Sequence, residues 1–377
     1  WDAVIAGGGL SGLSLAAHLA TSGWGGRRVL VVDDETHDVR SRSWAFWSSQ
    51  PGVLDAASVR SFDQLHVHAD GRDLRRSIRP YTYQVAEGVA LRAAVRTLTA
   101  GCPGFELRSG QVSELADVGD RVVVVVDGRP VESAWAFDSV LAPLPPAEAS
   151  LSFDGWEVET ERDVFDPTTP TLMDFRTPQH GGLQFVYVLP VSARRALVEH
   201  TQFGSEAAPD PDGVPRYLED VLGAGSFNVL RREAGTLLLQ SRFPSRRSGR
   251  VVPIGNRGGL LKASTGYAYA RIQRDSAAIA RSLVRDGHPF GRRRTRARHR
   301  FLDATLLELI RTDPRAVEVA FAELFRRNPA DLVLRFLDED TTVTEEVWLL
   351  RTLSRRPFLH AAASRSALLG QRGWRRR

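Results

Sequence analysis

Cysteine, lysine and methionine are almost missing from this chain. The single cysteine, Cys102, excludes a disulfide framework and a cysteine-based metal centre, and sets the expectation of a reducing, cytoplasmic compartment. Lysine occurs once, at Lys262, so arginine supplies the rest of the 50 basic residues. With one methionine and few asparagines, that is the mark of GC-rich coding. The pI near 9.8 therefore does not point to nucleic acid, and the arginines are spread along the chain. Two clusters stand out, Arg292–Arg300 and Arg375–Arg377, and either could meet anionic lipid headgroups or simply be solvated. No run approaches the ~18 apolar residues of a membrane-spanning helix. No leader pattern opens the chain, which starts on Trp1 rather than Met, so trimming is part of the expectation. The histidines show no i, i+4 pairing with acids, so no metal is expected. His66 and His68 read as the polar face of a strand, and His18 as a helix-face residue.

What is present begins at the first residues. Asp2–Ala6 reads as a buried strand running into Gly7-Gly8-Gly9-Leu10-Ser11-Gly12, which sets glycines at the three positions of G-x-G-x-x-G. A helix from Ser11 to Ser22 and a second strand, Val29–Val32, follow, and the strand ends in Asp33 and Asp34. Gly7 allows the tight turn, Gly9 lets backbone approach a pyrophosphate, and Gly12 lets helix and strand pack closely. The first-turn N–H groups of Leu10, Ser11 and Gly12 and the positive end of the helix dipole would face the phosphates. Asp33, 21 residues past Gly12, would accept from the ribose hydroxyls. The motif alone does not choose between FAD and NAD. Its place at the head of the chain favours FAD.

Arg40 to Trp47 reads as an aromatic-rich loop, lining either a small core cluster or a pocket for a flat, greasy ligand. Hairpins are expected over Phe62–Ile78, turning at Asp70-Gly71, and over Arg121–Trp135, turning at Asp127-Gly128. A helix is expected over Glu87–Leu98 and a short strand over Asp138–Ala142. Alternating strands from Leu151 to Phe203 and Val229 to Leu239 predict a wide antiparallel sheet. Arg250–Ile254 then returns as a last strand into a glycine loop at Gly255, with a helix over Tyr267–Asp286 and four more helices after Pro289. The expected class is α/β: a Rossmann-like domain (1–62, 79–150 and 245–288) interrupted by an antiparallel-sheet substrate domain (63–78 and 151–244), with a helical region over 289–377.

These motifs together resemble the bacterial flavin-dependent lycopene β-cyclases along nearly the whole chain. Gly7–Gly12 with Asp33 is similar to their dinucleotide site, and Ser43-Trp44-Ala45-Phe46-Trp47 to their Trp-Ser-Phe loop. Leu172–Arg176 and Phe185–Pro190 resemble the substrate-domain signature, and Leu197-Val198-Glu199-His200-Thr201 the Leu-hydrophobe-Glu-x-Thr segment. Ile254-Gly255 through Ser264-Thr265-Gly266-Tyr267 is similar to the second flavin-contacting stretch. Arg335–Leu337 and Arg356–Leu359 match the C-terminal helices. There are departures. His200 replaces an acid, Ala263 a proline, Glu233-Ala-Gly235 lacks a following Pro-Met, and the strand end at Ala142-Pro143 lacks its usual acid.

The resemblance implies protonation of a terminal double bond of lycopene or a related acyclic carotene, ring closure, and proton loss to give a β-ring. It implies reduced FAD without net redox change, NAD(P)H serving only to reduce it. Implied cofactor contacts are Gly7, Gly9, Leu10, Ser11, Gly12, Asp33, Asp34, Arg42, Gly255, Thr265 and Gly266. Glu199 is the implied acid. Desolvation would keep its carboxyl neutral, and on a strand it would share a side with Leu197 and Thr201, opposite Val198 and His200. From pattern alone, a surface ion pair with Arg195 is the simpler reading of Glu199. Trp44, Phe46, Trp47, Phe185 and Tyr187 are candidates to line the substrate and stabilise a cation through their ring faces; as strand aromatics they could equally be core. Either Glu199 or His200 could take the proton back. Apolar residues Leu332, Val333, Phe336, Leu337, Val347, Trp348, Leu349 and Leu350, with arginines nearby, suggest peripheral membrane attachment. Competing readings are a geranylgeranyl reductase-like or aromatic hydroxylase-like FAD oxidoreductase, or a non-enzymatic flavin-binding membrane protein.

Overall fold

Strand β1 (Ala3–Ala6) is buried along its whole length, with no alternation, because it lies inside a parallel sheet covered on both faces. The computed structural model describes residues 1–34, 42–180, 182–204, 210–243, 245–246, 249–291, 296–354 and 356–363. After β1 come α1 (Leu10–Ala20) and β2 (Val29–Asp33), then β3 (Ser43–Ser48), β4 (Ser58–Phe62), the hairpin β5 (Gln64–Ala69) and β6 (Arg72–Ser77), and β7 (Thr82–Glu87). Helix α2 (Gly88–Thr99) leads to β8 (Phe105–Ser109), β9 (Val112–Asp117), β10 (Val122–Val126), β11 (Arg129–Ser133) and β12 (Trp135–Asp138). Three long strands and one short one follow: β13 (Ala149–Thr160), the short β14 (Thr171–Asp174), β15 (Leu183–Pro190) and β16 (Arg195–Gly204). Then come α3 (Gly213–Arg216), running directly into a π-helical turn over Tyr217–Val221, and β17 (Phe227–Leu239), β18 (Val251–Pro253) and α4 (Tyr269–Asp286). The chain closes with α5 (Ala297–Thr312), α6 (Pro314–Arg327), α7 (Ala330–Leu337) and α8 (Val343–Arg351).

The parallel sheet has the order β18-β12-β1-β2-β8. One face packs Ala3, Ile5, Val29 and Val31 against α1, α2 and α4; the other packs Val4, Ala6, Leu30 and Val32 against the β9–β11 sheet. This three-layer arrangement is the Rossmann-like unit the opening residues predict. The second large sheet has the order β17-β13-β16-β15-β14-β5-β6, so the 64–77 hairpin joins strands from far along the sequence. Its two faces differ. Leu183, Phe185, Leu189, Leu197 and Phe203 face the C-terminal helices, while Val186, Val188, Ala196 and Val198 pack under Val214, Tyr217 and Leu218.

Local expectations hold where the signal is local. Asp70-Gly71 and Asp127-Gly128 turn the two hairpins with positive φ at all four residues. Elsewhere tertiary structure overrides. Residues 43–48 form a strand, not a loop, because β7 pairs with them from Ser43–Glu87 to Ser48–Thr82. The strand expected over Asp138–Ala142 ends at Asp138. Its carboxylate accepts the backbone N–H groups of Val140, Leu141 and Ala142 and bends the chain away. The α3 segment was not foreseen; nine residues of local helix carry too little periodicity.

Candidate active site

Helix α1 begins against the glycine turn with no side-chain cap and no acid in its first turn, which leaves its N-terminus ready for an anion. Gly12 is fixed by close approach: a Cβ there would lie 1.9 Å from the Gly7 carbonyl oxygen. At Gly9 the same added atom would meet nothing within 4 Å. Asp33 folds back over the turn, its Oδ2 2.7 Å from where a Gly8 Cβ would stand, and receives Arg92 Nη1 at 3.4 Å. Gly255, at φ +59°, lies against Ser11, whose Oγ is 2.5 Å from its missing Cβ. Asp34 is exposed. Thr265 is buried, and Gly266 packs on Leu151 and Leu237 of the second sheet. The two stretches predicted to hold a dinucleotide are thus side by side. Uncapped helix, open glycine and strand-end acid fit FAD.

Glu199 sits near the middle of β16. In register it lies beside Tyr187 of β15 on one side and Gly155 of β13 on the other; Gly155 lies beside Glu233 of β17 in turn. A row across the sheet therefore reads Glu233, Gly155, Glu199, Tyr187. As the alternation predicts, Leu197 and Phe203 share the face of Glu199, and Val198 goes to the other. Arg195 is not its partner: that guanidinium is bound to Glu157. The hydrogen bond recorded for Glu199 among the described residues is donated by Thr201 Oγ1 at 3.3 Å. Burial first, then the charge of Glu233, and less so Asp154, push its pKa up to about 8, against a modest opposing pull from Thr201 and Arg42. At neutral pH the carboxyl holds its proton.

Three phenols flank it. Tyr267, the residue after Gly266, donates to Tyr187 Oη at 3.4 Å, and Tyr83 is wholly buried beside them. Burial raises all three phenols well above their ordinary pKa, so they remain neutral donors. Trp47 meets Tyr267 edge-on, with ring centroids 4.8 Å apart, and donates its indole N–H to the Leu334 carbonyl at 3.1 Å. Phe185 lies 5.1 Å from Tyr187 on the same face. Trp44 and Phe46 point the other way along β3. Phe46 stacks on Tyr269 at 3.7 Å, within the core of the nucleotide unit. Arg42 donates to the Ala234 carbonyl at 2.7 Å, next to Glu233. Three of the five aromatics thus gather at Glu199 and two do not.

Four residues here escaped the sequence reading of the site: Glu233, Gly155, Tyr83 and Tyr267. Tyr267 carried a signal, as the end of the Ser-Thr-Gly-Tyr stretch, and Glu233 stood in the Glu-x-Gly segment without being placed in the site. The others depend on which strands are neighbours. His200 turns to the opposite face, its Nε2 3.1 Å from Gln184 Oε1 and its ring against Gly213; burial lowers its pKa. Among the described residues one group has ligand atoms close enough together to hold a metal, a closeness that i, i+4 spacing does not register. His66, His68 and Asp73 place ligand atoms within 4.8 Å of one another on the β5–β6 hairpin, three strands from β16.

The C-terminal helices cover the same face. Between them and residues 262–264 lies a largely apolar cavity of about 80 Å³, lined among others by Leu302, Leu306, Phe321, Phe336, Leu350 and Phe358. Its polar wall is an ion cluster: Lys262 Nζ reaches Asp303 at 2.6 Å and Glu339 at 3.2 Å, and His299 binds Glu346 at 2.9 Å. Val333, Leu337 and Leu349 are core, whereas Val347 and Trp348 are exposed. The arginine tail 375–377 and residues 292–295 of the Arg292–Arg300 run lie outside the described residues.

Residues 2–363 match the model of the lycopene cyclase protein family. A lycopene beta-cyclase of Paracoccus sp. is 28% identical over 213 residues, 52% of this chain and 54% of its own length. One of Pantoea ananas is 27% identical over 279 residues, 70% of this chain and 67% of its own. The match thus spans about half of the first relative. In fold, the chain is similar to a geranylgeranyl bacteriochlorophyll reductase-like protein of Thermoplasma acidophilum, with a TM-score of 0.59 and 11% identity over 96% of this chain and 95% of that one. With the glycine motif, the strand-borne glutamate and a family match over nearly its whole length, the chain belongs to the lycopene cyclase protein family.

Proposed function

We propose that this protein closes the ends of lycopene or a related acyclic carotene into β-rings, as an isomerase with FAD bound in its reduced form. The observation that carries the reading is the Glu199 carboxyl on an aromatic, apolar sheet face, where it accepts from a threonine hydroxyl and burial pushes its pKa up to about 8. A hydrocarbon offers nothing to bind but area and nothing to activate but a double bond. Protonating that bond needs an acid kept neutral by its surroundings. Here Glu199 delivers the proton to the isopropylidene end; the neighbouring double bond closes on the tertiary cation, and loss of one proton completes the ring. Trp47, Phe185, Tyr187 and Tyr267 surround the charge with ring faces that attract a cation without capturing it. Reduced FAD, when bound by Gly7–Gly12, Asp33, Arg42, Gly255, Thr265 and Gly266, supplies negative charge near the cation; NAD(P)H is the reductant that maintains it.

The substrate partitions into membranes, and α8 together with the segment after it leaves Val343, Val347, Trp348 and Leu359 exposed. No described helix is long and apolar enough to cross a membrane. We read this surface as the peripheral contact through which a hydrocarbon enters beside the apolar cavity. The nucleotide unit (1–62, 79–150, 245–288), the sheet unit (63–78, 151–244) and the helical region (289–377) are the proposed domains.

Expression in lycopene-accumulating cells tests the reading. Cyclic pigment at unchanged mass is expected. A heavier product would instead favour a reductase acting on the same double bonds, the reading to which the Thermoplasma likeness points.

A further inference from the structure

Ring closure leaves a proton to be removed, and His200, the neighbour to which the sequence drew attention, lies on the wrong side of the sheet. The face that carries Glu199 offers other carboxylates. Glu157 is engaged at both oxygens: Arg195 donates to Oε1 and Arg231 to Oε2. Asp154 is adjacent in sequence to Gly155 and so points to the opposite face, where it accepts the Trp156 indole N–H. Glu233 remains. It stands across the missing side chain of Gly155: a Cβ there would lie 3.2 Å from the Glu233 Cγ and 3.5 Å from the Glu199 Cγ. The two acid stems border one gap on one face, together with Leu197 Cδ1 at 3.4 Å from the same point.

Their partners differ. Glu233 Oε2 accepts Arg231 Nη1 at 2.8 Å, and Arg42 sits beside it on the Ala234 carbonyl. Arg231 also donates to Ser43 Oγ at 3.1 Å, which fixes the guanidinium between β17 and β3. Burial raises the Glu233 pKa above its ordinary value, while Arg231, Arg42 and the Ser43 backbone N–H pull against it. The Glu199 carboxyl has a hydroxyl where Glu233 has a guanidinium. A carboxyl held by a guanidinium beside one that meets a hydroxyl has the stronger support for its charged form, the arrangement that suits a separate base and acid.

We propose that Glu233 is the catalytic base that removes the ring proton, Glu199 and Glu233 acting as donor and acceptor on either side of the gap at Gly155. This rests on the cyclase reading above. In balance, the Glu199 O–H bond breaks and its proton forms a C–H bond at the CH carbon of the isopropylidene group. The internal double bond attacks the resulting tertiary cation and closes the ring. The C–H bond on the attacking carbon then breaks, its electrons making the ring double bond and its proton passing to the Glu233 carboxylate. One proton enters and one leaves. Transfer of that proton from Glu233 to Glu199 resets the pair, and no oxidant or reductant is consumed.

The position of the new double bond is the readout, because the same cation can lose a proton from any of three carbons. Without a base at the attacking carbon, loss from the ring CH2 gives ε-rings and loss from the methyl gives γ-rings. Glu233→Gln and Glu233→Asp, both in the full-length holoenzyme, are compared with the parent in lycopene-accumulating cells, with bound flavin measured on the purified proteins. For Glu233→Gln we expect β-ring formation reduced at least about tenfold, ε- or γ-rings among whatever closes, and flavin retained. Glu233→Asp, which keeps a carboxylate, should give β-rings alone. β-Rings alone from Glu233→Gln, at any rate, overturn the proposal. So does the absence of rings from both variants with flavin retained, which would leave Glu233 a structural partner of Arg231. No cyclic product from the parent would instead overturn the cyclase reading itself.

Discussion

Carboxylates are enclosed in this molecule in opposite ways, and two regions show the contrast. In the C-terminal helices, Glu339 is met by Lys262, Arg271 and His299. Burial alone would raise its pKa, yet the cations hold it below its ordinary value. On the seven-stranded sheet the hydrogen bond to Glu199 among the described residues comes from a threonine hydroxyl, the charge of Glu233 adds to burial, and its pKa rises to about 8. Burial is common to both. The partner decides the sign, and under the proposed function that sign separates a structural carboxylate from one that would give a proton to carbon.

The largest effect should come from removing the unpaired acid. Glu199→Gln keeps the shape and deletes the proton; cyclic pigment should fall by about 10²–10⁴-fold, with flavin content and melting temperature close to the parent's. Full activity in that variant would end the comparison. The converse change is Lys262→Ala, which strands Asp303 and Glu339 without their ammonium. Loss of a buried partner costs about 3–5 kcal/mol, read by chemical denaturation, and unchanged stability would mean that the cluster is not the matched site described here.

pH should separate the two sites further. The Glu199 pKa is raised above the ordinary 4.5, so the stability it contributes is present below about 4.5 and is lost as pH rises toward 8. For Glu339 the shift is downward, so its contribution is present above the ordinary value and lost as pH falls through its depressed pKa. Cyclase rate should follow Glu199 and decline as pH rises through about 8. A rate that climbs through that range would show that the acid is elsewhere.

Two smaller changes sharpen the picture. Gly155→Ala fills the gap between the acid stems at 3.2–3.5 Å contacts. Activity should drop by about tenfold while stability stays within ~1 kcal/mol, since alanine is favoured over glycine in a strand. Unaltered activity would mean that the gap does not receive substrate. Val347→Asp with Trp348→Asp should weaken sedimentation with anionic vesicles a few-fold and leave flavin binding intact; unchanged sedimentation would place the membrane contact elsewhere.

Much of this was legible in the residues. The glycine turn, the helix behind it and both Asp-Gly hairpins depend on neighbours within a few positions, and the structure returns them nearly unchanged. The face Glu199 shares with Leu197 follows from strand alternation, while its choice as the acid comes from the family pattern. The aromatic segment at 43–48 was misread as a loop because what makes it a strand is β7, brought to it by the chain's later course.

By itself, then, the sequence determined the nucleotide-binding half, the long sheet and the glutamate within it, because periodicity and turn chemistry act over short stretches of chain. Register and neighbour order are set only when distant strands pair. Tertiary structure alone decided that Arg195 turns to Glu157, that His200 faces away, and that Glu233 stands across a side-chain-free position from Glu199. Physically, a carboxyl's charge is fixed by what surrounds it in space, and those surroundings come from six different strands and a loop.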